Sequence, residues 1–127
     1  MRIKIKPLNF LIIEIFNKAG CHKNEAVKIA KYLIEANLTG HDSHGVIRTI
    51  RYISGLENNT IKANVKPILE TDSANYCVID GDGGFGQIVG PYACKLGIKK
   101  AKKFGNAIIA IKNSSHLGRI GDFAEIA

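Results

Sequence analysis

Tyr76-Cys77-Val78-Ile79-Asp80, followed by Gly81-Asp82-Gly83-Gly84-Phe85-Gly86, is the stretch on which the fold turns. A short apolar run leads into a glycine-rich segment and then into residues 88–104, whose pattern is helical despite Gly90, Pro91 and Gly97. Strand, G-x-G-x-x-G and helix in that order match the dinucleotide fingerprint, in which backbone N–H groups at a helix start cradle a pyrophosphate. Two details oppose that reading. The fingerprint expects an acidic residue at the end of the following strand, to hold ribose hydroxyls. Here the apolar run 107–111 ends in Lys112-Asn113. Asp80 and Asp82 also place negative charge where the pyrophosphate would lie. Lys112 remains available as a partner for a 2′-phosphate, but a tight glycine turn that shapes a pocket accounts for the stretch better.

Working outward, residues 65–71 and 76–80 read as short strands joined by Asp72-Ser73-Ala74-Asn75, a turn composition. Residues 107–111 form a continuous apolar run of the kind a buried parallel strand shows. Upstream the period changes to helical. Residues 8–18 follow Pro7, which suits a first helical turn, and stop at Gly20. Ala26, Ile29, Ala30, Leu33 and Leu38 recur at helical spacing and end near Gly40. A third helix is expected after Asp42-Ser43, either of which can cap it, running to about Glu57. The fold class is therefore α/β, with an N-terminal helical bundle (1–64) followed by the start of a mixed α/β layer (65–127).

Two polar clusters stand out. On a helix from Asp42, His44, Arg48 and Tyr52 fall at i, i+4 and i+8, with Val46, Ile47, Ile50 and Ile53 on the opposite arc. That stripe offers a planar fork for a carboxylate, which Arg supplies better than Lys, and an imidazole able to exchange a proton near neutral pH. The plainer reading is a helix cap beside a solvated face. The second cluster, Asn113-Ser114-Ser115-His116-Leu117-Gly118-Arg119, follows directly on the 107–111 run. Ligands on open α/β sheets gather outside the carboxyl ends of strands, so His116 is a second acid/base candidate or a group that orients a nicotinamide. Alternatively it is a surface histidine in a polar loop.

Composition limits the class of protein. The chain has 127 residues, 46% of them hydrophobic and 23% charged, as in an ordinary globular domain. No apolar run approaches the roughly 20 residues of a membrane span, and the start through Pro7 lacks a signal-peptide core, so a cytoplasmic location is expected. Cys21, Cys77 and Cys94 lack metal-ligand spacing and read as free thiols, Cys77 and Cys94 buried among apolar neighbours; no metal is expected. The net charge of +7 is scattered. Its densest cluster, Lys99, Lys100, Lys102 and Lys103, reads as a solvated helix end rather than a nucleic-acid surface.

Taken together, Asp42-Ser43-His44-Gly45-Val46 with Arg48 and Tyr52, Ile79-Asp80-Gly81 through Gly86-Gln87, and Asn113-Ser114 with His116, Gly118 and Gly121 resemble the malate/L-lactate dehydrogenase family. This family is unrelated to the Rossmann-type lactate dehydrogenases and includes sulfolactate and ureidoglycolate dehydrogenases, diketogulonate reductase and an imine reductase. Order and separations match across nearly the whole chain. The resemblance implies a non-Rossmann fold for the cofactor, NAD or NADP, and a homodimer acting on a small 2-hydroxy or 2-oxo acid of malate, lactate or sulfolactate type. It implies that His44 and His116 are the catalytic candidates, one or the other of them the proton donor, that Ser43, Arg48 and Tyr52 bind substrate, and that Asn113, Ser114, His116, Gly118 and Gly121 lie on the cofactor side. Leu117 replaces the Phe usual after that histidine. Family members continue well past residue 127, so only the N-terminal portion is expected here, with a catalytically inactive fragment acting as an interaction module as the alternative.

Overall fold

A computed structural model describes residues 3–127; Met1 and Arg2, at the head of the N-terminal run, lie outside the described residues. Helix α1 (Ile5–Lys18) begins two residues before Pro7, which therefore sits in the first turn, where a missing N–H costs no intrahelical bond. Helix α2 (Lys23–Leu38) packs against it through Ala26, Ile29, Ala30 and Leu33. Asn64 staples the corner between them. Its side chain donates to the Gly20 carbonyl and accepts the His22 N–H, while its own N–H donates to the buried carboxylate of Glu25.

The third helix is not continuous from Asp42. A single 3-10 turn (Asp42–His44) breaks at Gly45, and α3 (Arg48–Glu57) follows. The expectation of one polar stripe backed by Val46, Ile47, Ile50 and Ile53 holds only for Val46 and Ile53, which pack against the main core. Thr49, Tyr52 and Gly55 form the buried face, whereas Ile47 is 67% and Ile50 80% exposed. Tyr52, at 2% exposure, joins Phe16 and Phe85 in the main core. Its ring lies 6.4 Å from Phe16 and 5.7 Å from Phe85, which are themselves 5.9 Å apart edge to face. Aromatic pairs in this range add about 1 kcal/mol each beyond burial.

Strands β1 (Ile68–Asp72) and β2 (Tyr76–Asp80) form an antiparallel hairpin, and β3 (Ile108–Lys112) pairs parallel with β2 after the crossover helix α4 (Gly86–Phe104). β1 starts later than expected and takes in Asp72. The β2-α4-β3 unit buries Cys77, Ile79, Val89 and Ala93 in a second core cluster. β3 departs from the expectation of a fully buried strand. It is an outer strand of the described sheet, and Ile109 and Ile111 line an open apolar cleft of about 620 Å³ with Phe123 of α5 (Gly121–Ile126). Gly90 admits α5, since a Cβ there would meet the Phe123 ring at 2.3 Å.

Lys100 also departs from its expected place. Instead of joining a solvated helix end it is 7% exposed, paired with Asp72 and bonded to the Ser73 carbonyl, and so ties α4 to the hairpin turn. Cys77 is buried as expected, but Cys94 is half-buried, its thiol donating to the Phe123 carbonyl at 3.3 Å. Among the described residues no helix is long and apolar enough to cross a membrane.

Candidate active site

The glycine segment has no free cradle for phosphate. Gly81 N–H donates to the Lys112 carbonyl, Asp82 N–H to the Asp80 carboxylate, Gly83 N–H to the Asn113 carbonyl at 2.6 Å, Gly84 N–H to the Gly81 carbonyl and Gly86 N–H to Ser115 Oγ. In return Ser115 N–H donates to the Gly84 carbonyl. Gly81, Gly83 and Gly86 thus spend their donors stapling the segment to residues 112–115, and Asp82 and Gly84 spend theirs within residues 80–84. Lys112, the fallback for a 2′-phosphate, is paired with Glu70 at 2.7 Å and lies 3.7 Å from Asp80. Asp80 is held below the usual carboxylate range, first by the Asp82 N–H and then by the Asn113 amide.

This staple has a purpose in the fold: it places His116. A Cβ on Gly86 would stand 2.3 Å from the His116 carbonyl oxygen and 2.4 Å from Leu117 Cα, so only glycine admits the loop against the start of α4. The histidine then reaches the helical layer. Tyr52 Oη lies 2.9 Å from His116 Nδ1, and the His116 ring stacks on His44, 5.4 Å between centroids and 24° between planes.

His44 is positioned from α2. Asn37 donates to the Asp42 carboxylate at 2.5 Å and accepts the Val46 N–H at 2.8 Å, and the closeness of its amide is why position 45 is glycine. Ser43 Oγ lies 3.0 Å from His44 Nδ1, and Arg48 Nε donates to the Ser43 carbonyl at 2.5 Å. That bond anchors the guanidinium by its inner nitrogen and leaves its two terminal nitrogens to face a ligand, the fork geometry a carboxylate accepts. Burial, then the charges of Arg48, His44 and Arg51, push the His116 imidazole below its ordinary value, so it is neutral at neutral pH.

The two clusters read separately in the sequence thus converge, joined by residues that sequence reasoning missed. Gln87, 1% exposed, donates its amide N–H to Tyr52 Oη at 2.8 Å. Tyr52 itself is a core residue that touches His116, not part of an open stripe. Asn113 stands at φ +51° with its amide on Asp80, Ser114 Oγ donates to the Ser115 carbonyl, Gly118 is at φ +81°, and Gly121 opens α5. No local signal marks Gln87 or Asn37, because a polar residue in a helix reads as solvated until its neighbours are known.

The family model for malate/L-lactate dehydrogenase matches residues 3–127. The chain belongs to that family. It is 38% identical over 127 residues to a malate dehydrogenase of Pyrococcus abyssi, covering 100% of this chain and 35% of that protein. Against an L-sulfolactate dehydrogenase of Methanocaldococcus jannaschii it is 39% identical over 127 residues, covering 97% and 36%. Superposed on the malate dehydrogenase of Pyrococcus horikoshii OT3 it gives a TM-score of 0.93 at 36% identity, over 100% of this chain and 36% of that one. The chain spans about a third of the length of the curated relatives it matches. Family membership removes the conflict posed by the glycine segment, since the expected fold was non-Rossmann.

Proposed function

We propose that the protein is an oxidoreductase that moves a hydride between a nicotinamide cofactor, NAD or NADP, and C2 of a small 2-hydroxy or 2-oxo acid, with the residues described above on its substrate side. The observation that carries this reading is the meeting of His44, His116 and Arg48, brought from two distant segments to one place. Such a set suits the chemistry: a hydride exchanged at C2 must be matched by a proton exchanged at the C2 oxygen, which an imidazole takes when neutral and returns when protonated, while the guanidinium fork holds the carboxylate.

In this reading Arg48 takes the carboxylate by its terminal nitrogens, with Ser43 fixing its inner nitrogen. His116 exchanges the proton at the C2 oxygen through Nε2, and His44, oriented by Ser43, borders the same oxygen. Tyr52 acts through His116 rather than on the substrate. The nicotinamide ring, when bound, gives or takes the hydride. Residues of the 113–121 segment, Asn113, Ser114, Gly118 and Gly121, would border it, and the glycine turn, with its N–H groups at 81–84 and 86 partnered, would not hold the pyrophosphate. The helical segment 1–64 and the α/β segment 65–127 would thus each supply one histidine. The names of the relatives, malate and L-sulfolactate dehydrogenase, support the acid class and do not favour a mere interaction module. The exposed Ile47 and Ile50 support association into a homodimer.

The test is a panel of malate, lactate and sulfolactate, each with NAD and NADP, following reduced cofactor by absorbance. Turnover of at least one acid that is lost in His116→Gln is expected. Unchanged turnover in that variant would remove His116 from the proton exchange.

A further inference from the structure

Gln87 is buried at the first turn of α4, one residue beyond the glycine that admits the His116 loop. Its amide nitrogen donates to Tyr52 Oη at 2.8 Å, and its carbonyl oxygen Oε1 has no partner among the described residues. A hydroxyl has one hydrogen to give. With Tyr52 Oη already receiving from Gln87, that hydrogen is free to go to His116 Nδ1, 2.9 Å away. A neutral imidazole that accepts at Nδ1 carries its proton on Nε2.

We propose that Gln87 is a positioning residue that orients the Tyr52 hydroxyl and thereby decides which ring nitrogen of His116 carries the proton. Turning the amide over would reverse the whole chain. Tyr52 would then donate to Oε1 and accept from His116 Nδ1–H, leaving Nε2 bare. In the resting state that arrangement strands the amide nitrogen with both its hydrogens in a dry core, and a buried N–H without a partner is rarer than a carbonyl without one. The observed orientation is therefore the resting one.

Oε1 then has a role that its isolation conceals. When His116 takes a second proton, Nδ1–H must donate to Tyr52 Oη, and the displaced Tyr52 hydrogen needs a new acceptor. A half-turn of the amide brings Oε1 into that position. Gly118 borders the amide nitrogen: a Cβ there would lie 3.1 Å from Nε2, so the glycine leaves the amide room to turn. The chain Gln87–Tyr52–His116 would have one hydrogen-bond direction for neutral His116, whose Nε2–H donates a hydrogen bond to the substrate oxygen, and the opposite direction for the charged ring, which gives its Nε2 proton to the C2 oxygen as the hydride arrives and is left neutral with Nδ1–H. This rests on the proposed function only for its substrate; the tautomer itself does not.

Long-range ¹H–¹⁵N correlation of the imidazole nitrogens in the 127-residue protein, without substrate, reads the tautomer directly. At a pH above the His116 titration, the wild type should show Nε2 protonated and Nδ1 bare. Gln87→Leu should abolish that preference and give a mixture. Gln87→Glu, once ionised, only accepts, and should invert the tautomer to Nδ1–H and raise the His116 titration. Tyr52→Phe, which removes the link by a separate route, should lose the preference as Gln87→Leu does. A wild-type protein with Nδ1–H, or the same tautomer in wild type, Gln87→Leu and Tyr52→Phe, would overturn the proposal. Either result leaves hydride transfer untouched, and absence of dehydrogenase activity leaves the tautomer measurement valid.

Discussion

Tyr52 and His116, separated by 64 positions in the chain, share a hydrogen bond of 2.9 Å that ties the helical layer to the loop after β3. The bond joins a phenol fixed in an aromatic core to a histidine carried on a glycine-stapled loop. His116 is therefore placed by packing on one side and by backbone hydrogen bonds on the other.

Arg48 is held by its inner nitrogen on the Ser43 carbonyl, which leaves a two-pronged end that Lys cannot reproduce. Arg48→Lys should weaken binding of a 2-oxo acid about tenfold, the loss expected of one charge-assisted hydrogen bond. Isothermal titration of oxaloacetate checks this, and an unchanged dissociation constant would take the carboxylate away from Arg48.

Gly86→Ala sets a Cβ against backbone atoms of His116 and Leu117, which have no rotamer by which to move aside. Overpacking of this kind costs about 1–3 kcal/mol or more. Gly20→Ala is the control: that site has positive φ but open space, and should lose only about 1 kcal/mol for the left-handed backbone. Urea midpoints should fall further for Gly86→Ala, and only that variant should disturb the His116 resonances.

The folded protein holds His116 below its unfolded value, so the native state binds this proton less well than the unfolded chain. Above about pH 6.5, the ordinary histidine value, both states are neutral and the stability is fully present. As pH falls below that value the unfolded chain takes up the proton first, and stability is lost until the folded value is passed. Urea midpoints measured from pH 7.5 to 5.5 should drop more for the wild type than for His116→Gln; equal slopes would contradict the burial of the ring.

Lys100 lies buried against Asp72 and the turn carbonyls. Lys100→Met keeps the stem and removes the donors, at an expected cost of about 1–2 kcal/mol. Lys99→Met, on the same helix end, should be near neutral, and similar midpoints for the two would argue against the tie.

Burial, and then Glu25, push the Cys21 thiol up to about 12, and burial also raises Cys77. Neither should react with Ellman's reagent at pH 8 while the protein is folded, because the thiolate is the nucleophile. In denaturant all three cysteines should react. Rapid modification of Cys21 in the native protein would refute its burial.

Helical period in residues 8–38 and the short apolar run of β2 were legible because each rests on local spacing, and the G-x-G-x-x-G segment showed its own inconsistency through Asp80, Asp82 and Lys112. Residues 42–57 misled in part: Val46 and Ile53 pack on the core, but the helix breaks at Gly45, where Asn37 accepts the Val46 N–H, and Tyr52 is buried while Ile47 and Ile50 are exposed. Lys100 misled for the same reason, since its partner is a hairpin turn distant in sequence.

What the sequence by itself determined was the order of elements, the family, and the identity of the polar groups, all of which depend on residue type at short range. Tertiary structure alone decided which of those groups meet. Stacking of His44 on His116, diversion of the glycine N–H groups into a loop staple, and the Gln87–Tyr52–His116 hydrogen-bond chain each join residues far apart in sequence. Such contacts arise only when buried polar groups must find partners within the one packing that fills the core.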